Sequence, residues 1–322
     1  MDLSRHLRHF LAVAEELHFG RAAELLGMAQ PPLSQSVQRL ERELGVELFD
    51  RSRRSIALTA AGRALVGEAR ALLAAERRLR TTMAAVREGT HGTLRVGVPP
   101  EVPATRLREV LRRLAAQAPG LDVELRELTS AEQLRALADP SPAAGLDVGL
   151  VRHPVPEGAG LRFGPAVTES LGVALPRASP LARGPACALA DLAGHDLILF
   201  PRAAAPEFHD QVLDACRRGG FEPPRVREAR NPDFLLGLVM AERGVALVTE
   251  ELAAGQPRVA WRPLAGEPLP ATLSAAWPAR AAHPAAERFA ALAAEVLSAG
   301  LAPAALAVPG APPPWSVVFG SR

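Results

Sequence analysis

Between residues 30 and 38 the chain reads QPPLSQSVQ. On a helix this spacing puts Gln30, Pro31, Ser34, Gln35 and Gln38 on one side, opposite an apolar row of Leu33, Val37, Leu40 and Leu44. Short polar side chains at a helix start suit base edges: Gln can pair with adenine at two points, and Ser can bond a base edge or a phosphate. Pro31 and Pro32 are tolerated because the first turn has free amides anyway, and they leave a blunt end that can approach a groove. Taken alone, the same face is equally an ordinary solvated one. Farther on, Arg51, Arg53 and Arg54 crowd into four positions, where guanidinium groups suit phosphate or minor-groove contact or simply face water.

A second set of residues suits an anionic small molecule. The segment Pro100 to Thr105 follows strand-like TLRVGV, Thr129 and Ser130 open helix-like SAEQLRALA, Arg152 ends LDVGLVR, and Phe200 and Arg202 follow DLILF. Ligands of open α/β sheets sit beyond the carboxyl ends of strands, where these residues fall. A helix start at Thr129 and Ser130 offers amides and hydroxyls to an anion, Arg152 can clamp a carboxylate with two hydrogen bonds, and Phe200 can stack. The alternative has Thr129 only capping its helix and Arg152 pairing with a protein acid.

Other chemistry is poorly served. There is no G-x-G-x-x-G loop, G-x-S-x-G elbow or H-E-x-x-H helix, and His153, His195, His209 and His283 are scattered, so neither an enzyme nor a bound cofactor or metal is expected. Glu250 and Glu251 read as a helix start. Cys187 and Cys216 leave a redox input open; no basic cluster flanks Cys187, whereas Cys216 precedes Arg217 and Arg218.

The elements that must position these residues follow from periodicity. Leu3, Leu7, Phe10, Leu11 and Ala14 mark a helix capped by Asp2. A short helix carries Ala22, Ala23, Leu25 and Leu26, a turn centres on Gly27, and a longer helix from near Gln30 stops at Gly45. VELFDRSRRSIALTAAG then alternates as a small hairpin with the three Arg at its tip. Residues 1–58 thus predict a winged helix-turn-helix. From Thr59 to about Glu88 no Pro interrupts an Ala-, Leu-, Arg- and Glu-rich run of roughly thirty residues, a rod of about 45 Å. Leu65, Leu72, Leu79 and Val86 recur every seven along residues 59–89, the seam of a two-stranded coiled coil, so a dimer is expected. Residues 90–300 alternate strand-like and helix-like segments in two sets, predicting two α/β lobes. The spacing leaves open whether TLSAAWP and the helix from Pro284 return to the first lobe. Residues 301–322, rich in Ala, Pro and Gly, are expected to be disordered.

The stretch HFGRAAELLGMAQPPLSQSVQRLERELGVELFDRSRRSIALTAAGRAL resembles the N-terminal signature of the LysR-type transcriptional regulators. The likeness rests on the AA pair, the QPPLS helix start, the LE-x-x-LG ending, LF-x-R, and the LT-x-x-G exit. It departs at Ala29, where the family often has a Ser or Thr cap. The resemblance implies base contacts at Gln30, Pro31, Ser34 and Gln35, backbone or minor-groove contacts at Arg51, Arg53 and Arg54, and dimerisation through the long helix. It also implies a periplasmic-binding-protein-like effector domain, dimers or tetramers on inverted-repeat promoter DNA, and RNA polymerase as a further partner. LILFPRAAAPEFHDQVLDACRRGGFEPP looks like members that sense aromatic or related organic acids. Thr129 and Arg152 match effector-contacting positions there, whereas PPEVPAT lacks the Ser or Thr usual after the first strand.

Composition is compatible with all of this without pointing to it. The net charge is only +2, and residues 1–58 hold as many Arg as Asp plus Glu. Every basic residue is Arg, as codons rich in G and C favour. No uncharged apolar run approaches the roughly 18 residues of a membrane span. MDLSRHLRHF lacks a secretory pattern, so the cytoplasm is the expected location.

Overall fold

Asp2 accepts a hydrogen bond from the Arg5 amide (3.1 Å) and opens α1 (Leu3–Glu16). The computed structural model describes residues 2–50, 56–139, 141, 145–156, 160–266, 268–301 and 306–307. It divides into two compact units, Met1–Ala85 and Val86–Arg322. In the first, α1 buries Leu7, Phe10 and Val13 against α2 (Phe19–Leu25) and α3 (Gln30–Leu44). The AA pair is buried because a larger side chain at Ala22 or Ala23 would hold α2 off its neighbours. Leu33, Val37 and Leu40 are fully buried, as their period demands, while Leu44 in the last turn stays exposed. Gly45 ends α3 in the left-handed conformation, φ 68°. Strands β1 (Phe49–Asp50) and β2 (Ala57–Leu58) pair antiparallel, with Phe49 opposite Leu58. Phe49 packs its ring 5.5 Å from that of Phe10 and 5.8 Å from that of Phe19. The expected hairpin therefore forms at its base; its tip, with Arg51, Arg53 and Arg54, lies outside the described residues.

Helix α4 (Ala60–Arg87) runs for 28 residues, about 42 Å. Thr59 caps it, its hydroxyl accepting from the Gly62 amide (3.0 Å) and donating to the Glu47 carbonyl (2.7 Å). Gly62 explains the last glycine of the LT-x-x-G exit: a Cβ there would stand 2.2 Å from the Leu48 carbonyl oxygen. A Gly62→Ala substitution is expected to cost about 1–3 kcal/mol, the range for overpacking a tight contact. A lower urea midpoint at unchanged slope is the measurement; an unchanged midpoint would show that α4 can shift away.

The second unit begins with β3 (His91–Val98), α5 (Ala104–Gln117), β4 (Gly120–Glu127), α6 (Ser130–Ala138) and β5 (Val148–Arg152), with β3 parallel to both β4 and β5. Strand β6 (Leu161–Pro176) then leaves this lobe for the next, which holds β7 (Leu197–Leu199), α7 (Pro206–Arg218), β8 (Val226–Glu228), α8 (Pro232–Met240), β9 (Val245–Val248), α9 (Glu250–Ala254) and β10 (Val259–Pro263). The chain returns along β11 (Leu269–Pro278) to α10 (Ala286–Ser298). The strand order is β4-β3-β5-β11-β6 in the first lobe and β6-β9-β7-β8 in the second, with β10 also on β6. The return that the spacing left open is thus made, because β11 pairs with β5 and α10 buries Phe289 and Leu292 in the first lobe's core. Two strands, β6 and β11, connect the lobes and form the floor between them. The tail, expected to be disordered, contributes β12 (Leu306–Ala307) against β6 at Val167 and Ala166. Its other residues, 302–305 and 308–322, lie outside the described ones.

Candidate functional site

The polar side of α3 faces outward as its spacing predicts. Gln30, Pro31, Gln35 and Gln38 are exposed and Ser34 is half-buried. The inner side is anchored by a polar contact that periodicity did not reveal: the Ser36 hydroxyl lies 2.5 Å from His6 Nδ1 and 2.7 Å from His9 Nδ1. Burial first, and the neighbouring Arg5 second, hold both imidazoles below their usual range. Neutral rings can share the hydroxyl without placing charge in the core, so α1 fixes the rotation of α3 from behind. Glu41 of the LE-x-x-LG ending accepts from the Leu48 and Phe49 amides (2.9 and 3.3 Å), tying the end of α3 to the first wing strand. Ala29 provides no side-chain cap, as its type dictates.

In the second unit a cleft, open at its mouth, lies between the lobes. Pro100, Thr129, Ser130, Arg152 and Phe200 all line it. Arg152 is the buried charge of the group, 9% exposed. Its amide donates to Ser130 Oγ (2.9 Å), its guanidinium donates to Glu101 (3.1 Å), and that guanidinium lies 5.3 Å from the centre of the Phe208 ring. Phe200 stacks on Phe208 with centroids 5.6 Å apart and planes 3° from parallel, making an aromatic wall beside the cation. The start of α6 is closed by a capping box. The Glu132 amide donates to Thr129 Oγ1, while Thr129 gives its amide and hydroxyl protons to the Glu132 carboxylate (2.8 and 2.7 Å). Gln133 sets the height of this helix, donating to the Leu128 carbonyl (2.8 Å) over Gly97 and Gly149, where Cβ atoms would meet its amide.

Residues 4–63 match the family model for the bacterial regulatory helix-turn-helix protein of the lysR family, and residues 87–298 match the LysR substrate-binding domain. The chain belongs to the LysR family. It is a DNA-binding transcriptional regulator with an effector-binding domain. Among LysR relatives, the HTH-type transcriptional regulator IlvR of Caulobacter vibrioides is 40% identical over 252 residues, 78% of this chain and 83% of that protein. The uncharacterized HTH-type transcriptional regulator YnfL of Escherichia coli is 34% identical over 277 residues, 85% and 91%. The crystal structure of CbnR, a LysR family transcriptional regulator, superposes with a TM-score of 0.73 at 32% identity, covering 91% of this chain and 100% of that one. CbnR complexed with its target DNA gives 0.72 at 30%, covering 92% and 99%.

Two of the residues singled out from this LysR sequence are placed elsewhere. Arg202 is not among the residues lining the cleft; it is exposed and pairs with Asp210 at 2.6 Å, because the short helical turn after Phe200 carries it away to α7. Leu65 packs against the helix-turn-helix core with Ala69 and Leu73 instead of standing on a free seam. A heptad register cannot tell a partner helix from the helix's own domain. Leu72, Leu79, Met83 and Val86 beyond it remain exposed. The segment from Pro100 also brings Glu101 into the cleft, whereas sequence reasoning missed Glu169, Phe208 and Arg230 there. Phe208 falls at an apolar position of an amphipathic helix and reads as core. Both thiols are buried. Desolvation pushes Cys187 up and Cys216 up to about 11, so neither offers the accessible thiolate a redox sensor needs. Among the described residues no helix is long and apolar enough to cross a membrane.

Proposed function

We propose that the chain is a cytoplasmic regulator, without enzymatic activity, that binds inverted-repeat promoter DNA as a dimer or tetramer and takes a carboxylate effector with an apolar body. Gln30, Pro31, Ser34, Gln35 and Gln38 read the major groove, and Arg51, Arg53 and Arg54 hold backbone or minor groove. Residues 1–58 form the DNA-binding domain, 59–89 the dimerisation helix and 90–300 the effector domain. The observation that carries the effector reading is the buried Arg152 guanidinium, which donates to Glu101 and lines a cleft walled by Phe200 and Phe208. A carboxylate laid there receives charge-assisted hydrogen bonds while its body meets aromatic faces. The Thr129 hydroxyl serves the capping box, so its part is to hold the start of α6 and the amides there in place.

Calorimetric titration of benzoate and butyrate tests this site. Arg152→Ala is expected to weaken binding at least tenfold, about 1.4 kcal/mol, while Thr129→Val acts mainly through stability. Unchanged affinity in Arg152→Ala at an unchanged melting temperature would remove the guanidinium from the site. A footprint on DNA flanking the protein's own gene, with and without a bound acid, tests the regulatory reading.

A further inference from the structure

Three of the charged groups that line the interlobe cleft already have an ionic partner. Five charged residues line it: Glu101, Glu169, Glu251, Arg152 and Arg230. Glu101 pairs with Arg152, and Glu251 pairs with Arg106 of α5 (2.9 Å). Setting these pairs aside leaves one guanidinium, exposed Arg230 before α8, and one carboxylate, Glu169 on β6. Neither makes a hydrogen bond or ion pair with any described residue. Glu169 also occupies the more demanding place. It lies opposite Ala271 in the ladder and two positions before Leu171, on a floor shared with Leu273 and Leu297. Ala271, Leu171 and Leu273 are all buried. A carboxylate among apolar side chains costs free energy until a donor reaches it. Its pKa is pushed up accordingly, first by burial, which outweighs the relief of the Arg152 charge; Glu251 adds to the rise and Arg106 opposes it.

Placing an effector carboxylate at Arg152, the reading on which this inference rests, sharpens the mismatch. Arg230 can answer the added negative charge, and Glu169 still has no hydrogen-bond donor among the described residues. We propose that the effector carries, at the end away from its carboxylate, a hydrogen-bond donor, either an ammonium or a hydroxyl group, and that Glu169 selects for it. The sheet register gives the layout. Arg152 on β5 lies opposite Leu273 of β11, and Glu169 on β6 lies opposite Ala271 of the same strand. The two therefore share one face of the floor from either side of β11, with backbones about 12 Å apart, across two strand spacings and two residues along the strands. The polar ends of the ligand stand apart along this line, with its apolar body over Leu273 and Ala271.

Matched probes separate the two ends: butyrate, 4-aminobutyrate and butylamine in one series, and benzoate, 4-hydroxybenzoate and phenol in the other. Calorimetry is run on the full-length wild type, Glu169→Gln and Glu169→Leu, with melting temperatures as a control, since Glu169 gives up no protein partner. The bifunctional member of at least one series is expected to bind wild type tenfold or more tighter than its plain acid, and Glu169→Leu is expected to abolish that advantage. Equal affinities within both series, or a preference that survives Glu169→Leu, overturns the role of Glu169 and leaves the carboxylate reading standing. Binding of butylamine or phenol that depends on Glu169, with no acid bound, overturns the carboxylate reading instead. If no probe binds wild type, both fall.

Discussion

A chain carrying both Leu72→Asp and Leu79→Asp is expected to sediment as a monomer where the wild type is dimeric, and to bind its operator about 100-fold or more weakly. The two leucines are 44% and 61% exposed, and Met83 and Val86 continue their row at 54% and 41%. Fully burying one such side chain is worth about 1.5–3 kcal/mol relative to leaving it in water. Pairing with a second copy recovers roughly half of that at each of four positions per chain. A carboxylate in the seam reverses the sign, because it must be dehydrated without a partner. The weaker DNA binding follows from geometry: two linked reading heads hold two half-sites, and a monomer holds one. Because neither leucine belongs to the N-terminal core, the variant is expected to keep its melting temperature. A variant that melts normally yet remains dimeric would place the dimer contact elsewhere than α4.

The correction at Leu65 shows where the heptad pattern stopped being informative. Ala69 and Leu73 lie in the N-terminal core, and Leu65 packs against it. Leucine at a period of seven satisfies one side of a helix whatever covers that side. Local chemistry was more legible: Asp2 and Gly45 punctuate their helices as their types dictate, because capping depends on the nearest few residues. In strand β6 only the second half, SLGVALP, has the apolar run of a strand. Its first half contains Gly164 and Pro165, which argue against a strand, yet the ladder tolerates them through a register shift opposite Ser274 and Ala276. No local pattern announces such a bulge. In the cleft, the strand-end rule found Pro100, Thr129, Ser130, Arg152 and Phe200, since topology alone brings strand ends together. Glu169 escaped because it lies within a strand that crosses between lobes, and the sequence did not show that crossing.

Replacing both Gln30 and Gln35 by Ala is expected to erase sequence preference while leaving non-specific binding almost intact. Each well-made bidentate pairing with a base discriminates by about 1–3 kcal/mol, so removing two of them lowers specific affinity by roughly 30-fold to 10⁴-fold. Both side chains are exposed, and the packing that holds α3 is on its other side, at Leu33, Val37 and Leu40 and where Ser36 meets His6 and His9. The double variant should therefore fold and dimerise as the wild type does. Phosphate-binding residues behave differently: Arg53→Ala or Arg54→Ala is expected to weaken operator and scrambled DNA alike and to reduce the salt slope by about one unit for each phosphate no longer neutralised. Binding isotherms on both DNAs at two salt concentrations separate the cases. Retained discrimination in the glutamine variant, with affinity reduced equally on both DNAs, would mean that α3 lies along the phosphates and that another element reads the bases.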